Sequence, residues 1–586
     1  MKKLLSLNLA ALVLLAACTG AQQKDDYLEV STAVSLNDGA MVVTANPHAS
    51  KAGAEVLRQG GSAVDAAIAI EAVLSLVEPQ SSGLGGGAFM LHFDNETNNL
   101  AVYDGRESAP KSATPEMFLT ESGERMPYFD AKHSGISSGV PGMVSMLKLA
   151  HQDHGKIAWG PHFDYAKRLA SQGFVISPRL AGMITRMSKY LPKTIEEGPI
   201  DAYQYFYDAA GEPLPAGHLL KNPKYAAALD LISADPDAFY NGPLAEEIVA
   251  TTNQAPRASG MSLQDLSSFE AVRRSALCSP YKGLQVCGPP PPSSWLAVAM
   301  ILGILENGPA FSEGGADDPR NWSFFGEAQR LAYADRDRYV ADADIVIVPV
   351  KGLLHQDYLA QRATELSRDA AKTKVVHGDP WSFVNDLPIS RGADATNDVA
   401  GTSHFVVVDR QGNVVSMTAS VESIFGSSRM AGGMFLNNQL TDFSFQPTDA
   451  QGNEIANAVA PGKRPRSSMS PTIVLDQNSE FYMATGSPGG NSIIAYTAKT
   501  LVGVLDWGLS AQQAVELPNL VARGDQVRIE SELASQELID GLRAYGFQVK
   551  ESAGENSGLS VVLRKANGEL EGGVDPRREG IIETVQ

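Results

Sequence analysis

Thr402 is followed by Ser403, His404 and the apolar run Phe405–Val408 in the stretch GTSHFVVVD, a pattern in which an internal threonine can become an N-terminal nucleophile. A threonine hydroxyl is weakly nucleophilic at neutral pH and needs an adjacent base. One solution is the residue's own α-amino group. Inside an intact chain that nitrogen is an amide and cannot take a proton, so cleavage of the Gly401–Thr402 bond would create base and nucleophile together. Read in isolation, the same residue simply opens a buried β-strand, because threonine commonly precedes apolar runs. The choice rests on the rest of the chain.

The elements that must position Thr402 change character at that residue. Before it the chain is mostly helical. ANPHASKAGAEVLRQGGSAVDAAIAIEAVLSLVEPQ reads as two alanine-rich helices broken at Gly60-Gly61. FDYAKRLASQG, PKYAAALDLISADP, PLAEEIVATTNQ and FFGEAQRLAYADRDRYVADAD carry apolar residues at helical spacing. Two stretches in this half read as strands: GAFMLHFDNETNNLAVYDGRE, with a polar hairpin tip, and the segment flanked by Cys278 and Cys287. Residues 367–400 are polar and turn-rich and predict a loop open to cleavage. From Thr402 on, TSHFVVVD, GNVVSMTAS, SPTIVLD and EFYMATGSP read as strands, followed by helical IIAYTAKTLVGVLDWG, SAQQAVEL and SQELIDGLRAYG. A late strand pair around QVRIE and LSVVLRK closes the chain. Strand pairs with helices on both sides predict two sheets sandwiched between helical layers.

Composition bounds the function. The chain has 67 Asp+Glu against 47 Lys+Arg, a net charge of −20, which argues against nucleic-acid partners. Residues 1–17, with Lys2, Lys3, a short apolar stretch and small residues at the end, read as a bacterial secretory signal. The ending Leu15-Ala16-Ala17-Cys18 resembles the bacterial lipobox, which makes Cys18 a lipid-carrying residue; an ordinary cleavage site beside an incidental cysteine is the alternative. Because Thr19 is not Asp, analogy with Gram-negative sorting places the anchor in the outer membrane, facing the periplasm. A polar tether over residues 18–36 follows. Cys278 and Cys287 are placed to pair across a short hairpin in an oxidising compartment, or to remain separate buried thiols.

Separated segments in a fixed order carry a stronger signal: EPQSSGLGGGAFM, YDGRESAP, GTSHFVVVDRQGNVVSMTAS, LNNQLTDFS, and RPRSSMSPT with TGSPGG. Together they resemble the γ-glutamyltranspeptidase (glutathione hydrolase) family of N-terminal-nucleophile hydrolases over nearly the whole mature chain. The resemblance implies an α+β fold, a four-layer αββα sandwich with a helix-rich N-terminal part. It further implies self-cleavage at Gly401–Thr402 into a large subunit, 37–401, and a small subunit, 402–586, that stay associated. The site residues follow by position. A γ-glutamyl group has an α-carboxylate that wants arginine and hydroxyl donors and an α-ammonium that wants acceptors. Arg106 and Ser467-Ser468 match positions that bind the carboxylate, and Gln439 and Asp442 match positions that receive the ammonium. Glu422 stands where the family frequently has Asn, which adds negative charge beside the substrate. Gly489-Gly490 match the backbone oxyanion donors, and Ser420 matches a hydroxyl that contacts the nucleophile, with Thr418 as a second helper or a plain strand residue. Between Asp442 and Ser467, many family members carry a longer lid with a Tyr, whereas this chain is shorter and has none.

Other chemistries find less support. GLGGGAFM lacks the Lys-Ser/Thr of a phosphate loop and does not open a helix after a strand. The histidines show no HExxH or paired zinc spacing, so no metal and no cofactor is expected, and His404 reads as structural. The expected function is γ-glutamyl hydrolysis and transfer, from glutathione and similar amides to water or to amino acid and peptide amines, through a Thr402 ester. The rivals are a glutaryl or cephalosporin-type acylase, a poly-γ-glutamate-processing enzyme, and a non-catalytic lipoprotein that binds γ-glutamyl peptides. Purified protein should run as two bands on a denaturing gel, the smaller beginning Thr-Ser-His-Phe; a chain that never splits there defeats the enzymatic reading.

Overall fold

The strand that begins at Thr402 lies inside a seven-stranded antiparallel sheet, between Ala40–Thr44 and Val414–Ser420. The full order is Ile581–Val585, Ala40–Thr44, Thr402–Val408, Val414–Ser420, Gly87–Asp94, Asn99–Asp104 and Val272–Ser275. A second seven-stranded sheet runs Val34–Leu36, Leu570–Val574, Ser560–Arg564, Phe481–Gly486, Thr472–Leu475, Leu284–Gly288 and Leu277–Tyr281. These assignments come from a computed structural model that describes residues 34–36, 39–396 and 401–586. The expected signal segment, Cys18 and most of the tether lie outside the described residues.

Side chains alternate across a strand, and the alternation sets the layers. Val406 and Val408 join Met41, Val43, Ile473, Ala484 and Val562 in a core between the two sheets. Phe405 and Val407 face the other way, onto the helices Pro47–Arg58 and Ala63–Val77. The second sheet is covered by Trp295–Asn307, Pro319–Tyr339 and Ile493–Leu505. The order helix, sheet, sheet, helix is the expected four-layer αββα sandwich. Every residue of Ala63–Val77 is buried, as a helix apolar on all sides requires, and small alanines let it approach the sheet closely. Ser62 and Asp65 form a capping box at its start, a device worth about 1 kcal/mol.

Two expectations change. QVRIE and LSVVLRK do not pair: Gln526–Glu530 lies in a separate three-stranded sheet with Leu520–Arg523 and Gln548–Ser552, while Ser560–Arg564 lies between Phe481–Gly486 and Leu570–Val574. Period-two alternation identifies a strand but does not choose its neighbour. The expected tether also ends inside the fold, because Val34–Leu36 pairs with Leu570–Gly572 and Leu36 enters the inter-sheet core. The cysteines face each other directly across the Leu277–Tyr281 and Leu284–Gly288 hairpin and are joined by a disulfide, Cα to Cα 4.1 Å. The loop it closes is short, so its stabilising effect is bounded at about 3 kcal/mol. Replacing both cysteines with serine should lower the unfolding midpoint by roughly 2 °C, read by calorimetry, and leave activity in place.

Candidate active site

Thr402 and Ser420 are direct cross-strand partners, at the open end of the inter-sheet core. Both point toward the second sheet, in phase with Val406 and Val408. The register brings Thr402 Oγ1 to 3.3 Å from Ser420 Oγ. Ser420 Oγ also donates to the Gly401 carbonyl at 2.7 Å and accepts the Glu422 N–H at 2.8 Å. Since the serine proton is committed to Gly401, the Thr402 hydroxyl must donate to Ser420. The serine thus donates to the Gly401 carbonyl and accepts from the Thr402 hydroxyl. Gly401 fits because it has no side chain: a Cβ there would lie 2.3 Å from the Glu422 carbonyl oxygen. On the other side, Arg578 Nη1 donates to the Thr402 carbonyl at 2.9 Å.

The pocket around this pair is lined by Thr402, Ser420, Glu422, Gln439, Asp442 and Ser467, together with Ser468, Met469, Gly490 and Ile493. Of the expected site residues near Thr402, Arg106, Gly489, Gly401 and Thr418 do not line it; Arg106 sits directly behind Asp442, and Gly489 precedes Gly490. Arg106 is completely buried, and its Nη2 donates to Asp442 Oδ2 at 2.5 Å and to the Arg466 carbonyl at 2.9 Å, while Nε reaches the Pro465 carbonyl at 3.1 Å. The expectation that Arg106 and Asp442 serve opposite ends of a substrate is therefore modified: in the uncut chain they form a buried ion pair. Gln439 Nε2 donates to the same Asp442 oxygen at 2.9 Å, and Gln439 Oε1 is buried without a hydrogen-bond donor among the described residues. A buried acceptor of this kind is costly unless a ligand supplies the proton.

Ser467 and Ser468 are placed by a neighbouring layer. Arg336, on Pro319–Tyr339, donates to Ser468 Oγ at 2.6 Å and to Ser294 Oγ at 3.0 Å, and the Ser467 N–H is taken by the Pro292 carbonyl at 2.9 Å. Arg466 turns away to Asp394, Nη2 to Oδ2 2.9 Å. Gly489 and Gly490 have φ of +138° and +58°, and a Cβ on Gly489 would meet the Tyr496 ring at 2.5 Å, so the turn before Ile493–Leu505 demands glycine.

Glu422 is not a solvated charge at a strand end. It is 3% exposed, has φ +79°, and is held by Asn438 Nδ2 at 2.5 Å and by the Tyr128 hydroxyl at 3.1 Å. A left-handed backbone at a non-glycine residue costs about 1–3 kcal/mol. Lys132 lies behind, donating to the Ile424 carbonyl at 3.2 Å; burial pulls its pKa down to about 7, against the attraction of Glu422. Burial likewise pushes Glu107, beside Arg106, up to about 8, with Arg106 opposing. Tyr128, Asn438 and Arg336 are the residues that sequence reasoning missed. Asn438 lies inside LNNQLTDF and was within reach of it; Tyr128 and Arg336 belong to stretches with no local signature.

His404 has the structural part expected of it. Nδ1 meets Thr418 Oγ1 at 2.9 Å, the ring packs on Gly486, and burial holds its pKa down at about 3, so it is neutral. Thr418 is its partner. Among the described residues one group gathers metal-ligating types: Asp65, His151 and His162, with ligand atoms within 4.8 Å of one another. Asp65 Oδ2 there already accepts the N–H groups of Ser62, Lys156 and Ile157, and His162 bridges Asp65 and the Trp159 carbonyl. The cluster anchors the Ala63–Val77 helix near Asp409, a strand length of about 20 Å from Thr402.

A family model described as gamma-glutamyltranspeptidase matches residues 49–585. The chain is similar to the glutathione hydrolase proenzyme of Bacillus subtilis strain 168, 34% identical over 566 residues, 95% of this chain and 92% of that protein. It is also similar to the glutathione hydrolase proenzyme of Escherichia coli K12, 35% identical over 557 residues, 92% of this chain and 90% of that protein. Its fold matches the crystal structure of cephalosporin acylase from Bacillus halodurans, TM-score 0.82 at 24% identity, covering 96% of this chain and 99% of that one.

Replacing Ser420 with alanine removes the donor to the Gly401 carbonyl and should slow self-cleavage by about 10²-fold. Gly401→Ala should block it through the Glu422 contact. Both are read as the fraction of uncut chain against time; wild-type cleavage in S420A would refute the role given to the serine.

Proposed function

We infer a reaction course from one premise: this chain belongs to the γ-glutamyltranspeptidase family and is a γ-glutamyl hydrolase and transferase. In maturation the Thr402 hydroxyl adds to the Gly401 carbonyl carbon while Ser420 hydrogen-bonds the oxygen. The adduct collapses with the C–N bond breaking and the hydroxyl proton passing to the departing Thr402 nitrogen, and water hydrolyses the resulting ester, leaving a Gly401 carboxylate and a free Thr402 amine. In turnover that amine takes the Thr402 hydroxyl proton as the oxygen attacks the γ-carbonyl of a substrate such as glutathione, with the backbone N–H groups of Gly489 and Gly490 receiving the oxyanion. The leaving amine takes the proton, and the γ-glutamyl ester passes to water or to another amine.

The observation that carries the assignment of residues is the meeting of Thr402, Gln439, Asp442, Ser467 and Ser468 in one pocket. Ser467, Ser468 and Arg106 take the substrate α-carboxylate. Asp442, Glu422 and the unpartnered Gln439 Oε1 take the α-ammonium. Tyr128, half-buried and bonded to Glu422, supplies a tyrosine that the stretch after Asp442 lacks. The products of cleavage stay together because strands from both sides of residue 401 share each sheet. Export as a lipoprotein through Cys18, with the enzyme facing the periplasm, completes the reading. Among the described residues no helix is long and apolar enough to cross a membrane.

Comparing γ-glutamyl-p-nitroanilide with glutaryl-p-nitroanilide tests the pocket. The glutaryl compound lacks only the α-ammonium, and kcat/KM should fall about 10²-fold, the scale of losing charge-assisted hydrogen bonds. Equal rates would favour an acylase.

A further inference from the structure

Beside the acyl pocket lies a larger groove of about 630 Å³, within the range of small-molecule sites. In a chain of net charge −20, its wall gathers Arg330, Arg338, Arg523, Arg528 and Lys550, with Asn491 at one end. Two carboxylates also line it, and both are already neutralised. Asp337 Oδ2 pairs with Arg523 at 2.8 Å, and Asp394 pairs with Arg466 at 2.9 Å, an arginine outside the lining. Arg528 is held by Glu555. Among the described residues Arg338 and Lys550 have no carboxylate within ion-pair distance. Cations lining a concave wall create a positive potential that selects anions.

The groove is built onto the catalytic turn. Asn491 directly follows Gly490, which lines the acyl pocket. Tyr333, in the groove wall, donates to the Asn491 carbonyl at 2.5 Å, and Arg528 Nη2 donates to Ser492 Oγ at 2.9 Å. Arg336 reaches Ser468 in the acyl pocket, while the next residue, Asp337, lines the groove. On the first path a single residue step of 3.8 Å, Gly490 to Asn491, joins the linings of the two sites, and on the second the link runs along the Arg336 side chain. A substrate whose γ-glutamyl end occupies the acyl pocket therefore has this groove within reach of its leaving group.

We propose that the groove binds the leaving-group side of acidic γ-glutamyl peptides, those whose residues beyond the scissile amide carry several free carboxylates. The proposal rests on the γ-glutamyl reading of the acyl pocket. Arg338 and Lys550 take the outer carboxylates, and Arg523 and Arg528 line the inner end.

The test compares γ-glutamyl-p-nitroanilide, γ-glutamyl-alanyl-alanine and γ-glutamyl-glutamyl-glutamate as substrates of the cleaved enzyme and of the Arg338→Gln/Lys550→Gln double variant. The wild type should prefer the acidic tripeptide, with a kcat/KM that falls steeply between 50 and 300 mM salt, on the order expected for exposed charge pairs. The double variant should lose about tenfold on that substrate alone and lose most of its salt dependence, keeping the nitroanilide rate within about twofold. A wild type that hydrolyses the nitroanilide but treats the acidic and alanyl peptides alike overturns the groove and leaves the γ-glutamyl reading intact. An equal loss on all substrates also overturns it. A cleaved wild type inactive on every γ-glutamyl compound overturns the reading beneath it.

Discussion

The chemistry of this molecule depends on a strand register. Thr402 lies opposite Ser420, and a slip of one residue would turn both hydroxyls away from the inter-sheet layer and toward the helices. Apolar alternation alone does not protect that register, because both faces of Thr402–Val408 are buried and every residue in it except His404 is apolar or small. The far end of the hairpin does. Asp409 Oδ1 accepts the N–H groups of Gln411 and Asn413 at 2.9 and 3.0 Å, Gly412 takes φ +82°, and Asp409 Oδ2 ties the turn to the Ala63 N–H at 3.1 Å. A polar turn seven residues away thus decides which atoms meet at the nucleophile.

Around the hydroxyl pair the protein keeps several charges out of water. Arg106 with Asp442, Arg466 with Asp394, and Arg336 with Asp337 and Ser468 form adjoining pairs from both sheets' neighbourhoods. Burying ions is expensive, and such pairs contribute little net stability. Their value lies in direction: Arg106 is committed to backbone carbonyls and Arg336 to serine hydroxyls, so the pocket's polar atoms are aimed before a substrate arrives. The same low-dielectric setting keeps Glu107 protonated further up the pH scale and leaves His404 a neutral ring of very low basicity.

Much of this was legible from residues alone. Thr402, Ser420, Gln439, Asp442, Ser467, Ser468 and Gly490 lie in short motifs whose types carry their roles, and the pocket gathers them. The layers were legible too, because helical and strand periodicities are local. What escaped were facts of partnership. QVRIE reads as a strand but its neighbours are set by tertiary packing; Val34–Leu36 is too short to show alternation. That Arg106 stands beside Asp442 is likewise a fact of partnership, which sequence does not reveal. Tyr128 reaches Glu422 across 294 residues, and no spacing rule spans that distance.

The pocket around Thr402 in the uncut chain encloses only about 20 Å³, room for about one water molecule. The Gly401 carbonyl, held by Ser420 at 2.7 Å, stands beside the Thr402 hydroxyl. On the proposed course the uncut chain thus holds a carbonyl of its own against the hydroxyl that is to react. Catalytic competence is then an irreversible property of each individual molecule, acquired when its own chain is cut.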